Sequence, residues 1–397
     1  MPGPLEGLRV IDLGQLVAGP WAATMLADQG ADVIKVERIG AGDPFRYVGS
    51  SRGGMSGMFH VLNRGKRSVA LDLARSEGRE VLLALAETAD VLIQNLRPGV
   101  VEELGVDYAS VRTAREDIVY LSLSGFGSEG PYAGRGAYDN VIQAYSGLAD
   151  AQSDSKTGEP HFIQQLLTDK LTAWAGAQAA TSALLARALG RGGQHVELPM
   201  LDTAIAFLWP DRAGHRILQG EGIEEQAPLG PSFSFLPLAD GYGTATAFAD
   251  AEFDGLCRAL ELDEVAQDPR LATLGLRMQN LDHLSATYQD RIGPAAGALS
   301  RADFERRLQA ERVPHGVVRS IDELHTDPHI EATGIFEERE HAMAGALREP
   351  RHPARFRGTP LARPDDAPAL GQHSDAILRE LGLGARLAAW REAGIVG

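Results

Sequence analysis

The sequence predicts an α/β protein with a mostly parallel sheet in its first half, followed by a smaller α+β domain. Three observations carry this. Apolar runs of strand length alternate with helical stretches over the first 125 residues. The pattern changes after residues 210–232, which hold charged, Gly and Pro positions and read as a linker. Beyond it, Asp240-Gly241 is a hairpin turn signal between short apolar runs at 233–238 and 242–248.

Taken in order, residues 8–13 (LRVIDL) form the first strand pattern. Pro20 then opens the apolar helix WAATMLADQ, and Gly30 closes it, the expected asymmetry of Pro at the start and Gly past the end. Residues 32–37 (DVIKVE) are a second strand and 68–71 a weaker one. Residues 77–88 are helical, 90–94 (DVLIQ) extended, and 118–122 (IVYLS) extended again after two short helical stretches. A long helical region follows at 169–189, stopped by Arg191-Gly192-Gly193, then a strand at 195–198 and a helix after Pro199. The later part shows helical segments near 252–262, 281–292 and 302–310. A proline-containing segment, 350–368, is expected to be extended and to wrap over something, and two short helices near 375–381 and 386–393 end the chain.

Composition narrows the function. The net charge of −16 repels nucleic acid and anionic membrane, so neither is expected as a partner. A single cysteine, Cys257, excludes a disulfide framework and any zinc site of several thiolates, and suits a reducing cytosol. The N-terminus carries no signal-peptide pattern, and no apolar run is long enough to span a membrane, so a cytoplasmic location is expected. Charge is uneven. Between Lys35 and Arg79 there are nine basic residues against four acidic ones: Lys35, Arg38, Arg46, Arg52, Arg64, Lys66, Arg67, Arg75 and Arg79. That is either a solvated surface or a landing site for a phosphorylated ligand.

Several motifs carry less than their letters suggest. GFGSEG, Gly125–Gly130, fits a dinucleotide-binding pattern, but a loop (PYAG) follows where the helix should begin. His325 and His329 have metal-sharing spacing, yet Asp327-Pro328 between them breaks a helix and no third ligand is evident, so a capped turn and no metal are expected. No G-x-S-x-G elbow or Walker loop occurs. Thr168-Asp169 precedes the run LTAWAGAQAATSALLARAL. From the residues alone Asp169 reads first as a plain helix cap; the same physics also allows a carboxylate kept ionised by the helix dipole, whose neighbouring amides could stabilise an oxyanion.

Many segments in order resemble the family III CoA-transferases. This group includes carnitine CoA-transferase, formyl-CoA:oxalate CoA-transferase and, as a branch, 2-methylacyl-CoA racemase. The segments are LEGLRVIDLGQLVAGPWAATMLADQGADVIKVE, GDPFR, LNRGKRSVALDL, IQNLRPGVVEELG, VYLSLSGFGSEGPYAGRGAYDNVIQAYSGL, LLTDKLTAWAGAQAATSALLARALGRGGQHVELPMLDTAIAFL, DGYG and LGQHSDAILRELGLG. The resemblance implies a Rossmann-like large domain built from both chain ends, a small α+β domain inserted between, and an interlocked homodimer. The corresponding bounds are 1–209 for the large domain, 210–232 for a linker, 233–318 for the small domain, and 319–397 for a second linker and the return to the large domain.

The resemblance also places the site. It implies Asp169 as the nucleophile, and CoA contacts at Leu16, Val17, Ala18, Arg38, Leu71, Asn95, Leu96, Arg97 and Tyr138. A family lysine falls on Ala74, with Arg75 beside it as a substitute, and another on Gly136, with Arg135 nearby. Val17 stands where the oxalate enzymes have glutamine, and their small-domain glycine run is missing, which argues for a less polar acid than oxalate or formate. No tightly bound cofactor is implied; acyl-CoA and a carboxylic acid are the substrates. Asp169 would attack the donor acyl-CoA to give a mixed anhydride and CoA thiolate, then become an aspartyl-CoA thioester. The racemase branch pairs its acid with a histidine, and this chain has Tyr138 there, a poor base near neutrality. Racemase is therefore the second reading, and a non-enzymatic CoA- or nucleotide-binding module the third.

Overall fold

The computed structural model describes residues 3–154, 156–224 and 234–397, which fall into two compact units: residues 1–210 with 334–397, and residues 211–333. The first unit is built on a six-stranded parallel sheet. Its strands are β1 (Arg9–Asp12), β2 (Asp32–Arg38), β3 (Lys66–Leu71), β4 (Val91–Gln94), β5 (Val119–Ser124) and β6 (His195–Pro199). The spatial order is β3-β2-β1-β4-β5-β6. Strands β2 to β5 are buried along most of their length because helices cover both faces, which removes the alternation of a one-sided sheet.

One face carries the helices Ala18–Asp28 and Leu167–Ala186, which share a core of alanines with Val10, Val33, Ile93 and Leu121. Gly176 permits the close approach: a Cβ there would lie 3.3 Å from Leu121 and 3.7 Å from Ala22. The other face is covered by Ser76–Thr88 and by the end of the chain, through Ile377, Leu378, Trp390 and Val396. Leu71 of β3 forms an antiparallel bridge to Val396. In this order the chain leaves β1 for one side and reaches β4 on the other, so the loops after β1 and β4 part at a switch point. Open α/β sheets place ligands at that crevice.

The second unit has a three-stranded antiparallel sheet, His315–Val317 beside Gly241–Ala245 beside Leu236–Leu238, with the hairpin turning at Asp240-Gly241. The helices Asp250–Ala259 and Arg301–Ala310 pack on it through Phe253, Leu256, Phe304 and Leu308. Cys257 is buried in this core, and burial pushes its thiol up to about 11. Residues 225–233 of the expected linker lie outside the described residues; before them, the helix Met200–Arg212 and a short turn Gly214–Ile217 extend into that stretch.

Residues 319–333, placed by sequence in the returning linker, belong to the second unit. Ion pairs hold them there: Arg301–Glu323 at 3.0 Å, Arg319–Glu305 at 3.1 Å and Arg319–Asp327 at 3.1 Å. His325 and His329 flank a capped turn: Asp327 accepts from the amides of His329 and Ile330 at 2.9 and 3.0 Å. No cluster of metal-ligating side chains occurs among the described residues. The antiparallel hairpin Phe336–His341 with Gly345–Pro350 has no counterpart in the sequence reading, because FEEREH is too polar to mark a strand.

Candidate active site

The loop after β1 is held from beneath by buried charge. Lys66 is fully buried and donates to Asp12 Oδ2 and Pro20 O, both at 2.7 Å, and to Leu62 O and Asn63 Oδ1, both at 2.9 Å. Lys35, also buried, donates to Gly14 O at 3.0 Å and pairs with Asp43 at 3.0 Å. Burial brings the Lys66 ammonium down to about 8, with Asp12 opposing; Lys35 is pushed up, because Asp12 and Asp43 outweigh its burial. Asp43 Oδ1 accepts from the amide of Leu16 at 3.2 Å, and Leu16 sits at φ 64°, a left-handed conformation unusual for leucine. Asn95 closes the loop from β4: it accepts from Gln15 N at 2.7 Å and donates to Gln15 O at 2.8 Å. Gly14 and Gly19 let the loop fold back on itself, since a Cβ on Gly14 would lie 2.9 Å from the Gly19 Cα.

Leu16 to Ala18 and Asn95 to Arg97 thus meet at the switch point. Val17 and Ala18 are buried, and no described residue accepts from the amides of Val17, Ala18 or Gly19. Leu96 donates its amide to Gln94 Oε1 at 2.9 Å. The exposed Arg97 lies along the next loop, where a Cβ on Gly136 would be 3.8 Å from its guanidinium carbon. Two residues on, Tyr138 is exposed and precedes Asp139, the first residue of the helix Asp139–Tyr145. GFGSEG is a loop with no helix starting inside it.

Asp169 is the third residue of Leu167–Ala186 and is half-buried. Neither sequence reading of it as a cap or as a dipole-stabilised anion holds. The cap is Asp139: its Oδ2 accepts from the Asp169 amide at 3.0 Å and from the Thr168 hydroxyl at 2.9 Å. The amides of Leu167 and Lys170 are also taken, by Gln165 O at 2.8 Å and Leu166 O at 3.2 Å. Among the described residues none donates to the Asp169 carboxylate. Burial, and then the negative charge of Asp139, push Asp169 up to about 7, the reverse of what a free helix N-terminus would do.

The basic stretch is mostly spent inside the fold. Arg46 pairs with Glu37 at 2.6 Å, Arg64 with Asp28 at 2.8 Å, and Arg67 with Asp32 at 2.7 Å. Arg52 and Arg79 donate to backbone carbonyls. Seven of the nine cations are therefore engaged within the fold. What remains open is Arg38, exposed at the end of β2 with no partner among the described residues, and Arg75, exposed and 3.9 Å from Glu77. Leu71 pairs in register with Arg38, but its side chain is in the core. Arg135 is engaged too: it lies 4.2 Å over the Tyr132 ring and donates to Tyr145 at 3.2 Å.

A family model for CoA-transferase family III matches residues 5–374. The chain belongs to that family. It is 32% identical over 387 residues to a succinate–glutarate CoA-transferase of Agrobacterium fabrum, covering 95% of this chain and 96% of that one. It is 31% identical to a succinyl-CoA:mesaconate CoA-transferase of Haloarcula hispanica, covering 96% and 97%. Among solved structures, a CAIB/BAIF family protein from Brucella suis is similar with a TM-score of 0.82 and 32% identity, covering 96% of this chain and 100% of that one. The chain is thus a CoA-transferase family enzyme with CoA thioesters as its substrates, and no described helix is long and apolar enough to cross a membrane.

The sequence reading missed the residues that hold the site in place. Asp43 holds Leu16, Lys35 and Lys66 brace the loop around it, and Asp139 caps the helix that bears Asp169. The available signal was a weak one: Lys35 stands between Ile34 and Val36 in a strand.

Proposed function

We propose that this enzyme transfers CoA between short dicarboxylic acids through acyl-enzyme intermediates on Asp169. The observation that carries the reading is a half-buried carboxylate, pushed up to about 7, that no described residue satisfies. Such a group, once ionised, is a strong nucleophile. It attacks the thioester carbonyl of the donor, CoA thiolate leaves, and a mixed anhydride remains. The thiolate then attacks the aspartyl carbonyl and expels the donor acid as its carboxylate, giving the aspartyl-CoA thioester. The acceptor acid attacks that thioester, and the returning thiolate completes transfer and frees Asp169. Each step exchanges one acyl bond for another, so exclusion of water conserves the thioester energy.

The nucleotide end of CoA is assigned to Arg38, with Arg75 and Arg97 as further cations. The unused amides of Val17, Ala18 and Gly19 open the helix Ala18–Asp28 and suit an anionic or carbonyl oxygen. Leu71 contributes through its backbone, and Asn95, Leu96 and Tyr138 frame the path between. The names of the relatives favour a dicarboxylic acid over the less polar acid suggested by Val17. We also assign a homodimer, interlocked as the family resemblance implies, in the cytosol. The exposed Trp174, Phe207 and Trp209 of the first unit support a covered surface.

The test is a panel of succinyl-CoA and glutaryl-CoA against free glutarate, mesaconate, succinate, oxalate and acetate, read by mass spectrometry. Transfer to the four- and five-carbon dicarboxylates, with a hydroxylamine-sensitive adduct on the Asp169 peptide, is expected. Full activity in Asp169→Ala would sink the mechanism.

A further inference from the structure

Two carboxylates meet at the start of Leu167–Ala186, and only one is satisfied. Asp139 is buried and accepts from three donors: the Thr168 hydroxyl at 2.9 Å, the Asp169 amide at 3.0 Å and the Gln143 amide group at 2.6 Å. Gln143 is fixed in turn, since its oxygen accepts from the Ile163 amide at 2.9 Å and its nitrogen reaches the carbonyls of Ile163 and Gln165, each at 3.2 Å. Three segments are therefore locked around Asp139: its own helix, residues 163–166, and the helix bearing Asp169. The charged and titratable side chains on them near this point are few. Lys170 is turned to Gln165 Oε1 at 3.0 Å, while Tyr138 and Tyr145 are exposed.

We propose that Asp139 is a positioning residue for the transfer reaction: it takes the donors at the helix start and holds a fixed negative charge beside the Asp169 carboxylate, which keeps no protein partner of its own. This rests on Asp169 being the group acylated. A carboxylate without donors and beside a like charge is a stronger base and a stronger nucleophile. Acylation neutralises Asp169 and ends its repulsion with Asp139, so the arrangement favours formation of the first covalent intermediate over the free carboxylate. The weakened acidity of Asp169, caused by burial and Asp139, agrees in direction.

The experiment uses the full chain labelled with 13C at the aspartate side-chain carboxyl, the Asp169 signal being identified by its loss in Asp169→Asn. In the unsubstituted protein Asp169 should titrate near 7. In Asp139→Asn, which preserves size, the midpoint should fall by about one pH unit or more. The acid limb of kcat/KM should move with it, and plateau kcat should drop about 10-fold, while KM for acyl-CoA changes little. A purely structural role would lower activity without moving the limb. An unmoved Asp169 midpoint in folded Asp139→Asn overturns the proposal. Should that variant fail to fold, the unsubstituted protein decides alone: an Asp169 midpoint at the ordinary carboxylate value overturns it. If both titrations come out as expected while no acid in the panel receives CoA, the coupling of the two carboxylates stands and the transferase reading falls.

Discussion

Replacing Asp169 by asparagine should stabilise the protein while removing activity, and the gain should depend on pH. Asp169 titrates at about 7 in the folded chain against 3.8 ordinarily. The folded state thus binds the proton more tightly than the unfolded one. Between those values the unfolded chain has lost its proton and the folded chain has not, so stability falls as pH rises from about 4 to about 7 and is level above. At about 1.4 kcal/mol per pH unit of difference, the ceiling is about 4 kcal/mol above neutrality. Asparagine resembles the protonated acid and avoids the penalty. The stability advantage of Asp169→Asn should therefore grow by about 2–3 kcal/mol between pH 5 and pH 8. Urea unfolding of both proteins at one protomer concentration, at each pH, measures it; fixing concentration keeps assembly from entering the comparison. An advantage that is equal at both pH values, or a variant less stable at pH 8, refutes the assignment of Asp169 as a strained, partnerless carboxylate.

Three further outcomes follow from the same geometry. Arg38→Ala should weaken CoA binding by about 1.5–3 kcal/mol in calorimetry, and affinity in the unsubstituted protein should fall with added salt; equal affinities would show the nucleotide end lies elsewhere. Lys66→Met removes the principal partner of the buried Asp12 and should cost about 3 kcal/mol in urea unfolding, whereas a neutral effect would mean the buried network is dispensable. Incubated with a 2-methylacyl-CoA in deuterium oxide, the enzyme should leave the α-carbon undeuterated, because Tyr138 supplies no second base; α-exchange near the turnover rate would favour the racemase reading.

The parallel sheet was legible because its signals are local. Most strands carry a short apolar run, and the connecting helices have start or stop residues, so Lys66–Leu71 starts two residues before its sequence bound and Val119–Ser124 is shifted from its bounds by one residue at its start and two at its end. The role of the basic stretch was not legible, because charge along a chain does not say where the counter-charges lie. Arg64 finds Asp28 and Glu349, and Arg67 finds Asp32 and Glu380, across separations that only the folded topology sets. Asp169 was placed on a helix start correctly, but its environment was inverted. Thirty residues separate it from Asp139, and nothing in the local pattern announces that one will cap the helix carrying the other.

That inversion bears on how the nucleophile is recognised at all. Five acidic side chains cluster around the loops and helices of the first unit's site, and four are satisfied. Asp12 has Lys35 and Lys66, Asp43 has Lys35 and the amides of Leu16 and Phe45, and Glu37 has Arg46 and Ser68. Asp139 has a hydroxyl and two amide donors. Asp12 and Glu37 are held below their ordinary values despite their burial, as structural anions should be. Asp169 is pushed up, and it alone of the five has no donor among the described residues. Carboxylates of one chemical kind thus divide by environment: those given donors hold the loops, and the one deprived of them is the group to which the proposed chemistry falls. The division also explains why Asp169 is costly to the fold. A donor aimed at Asp169 would stabilise the protein and, by the same interaction, weaken the proposed nucleophile.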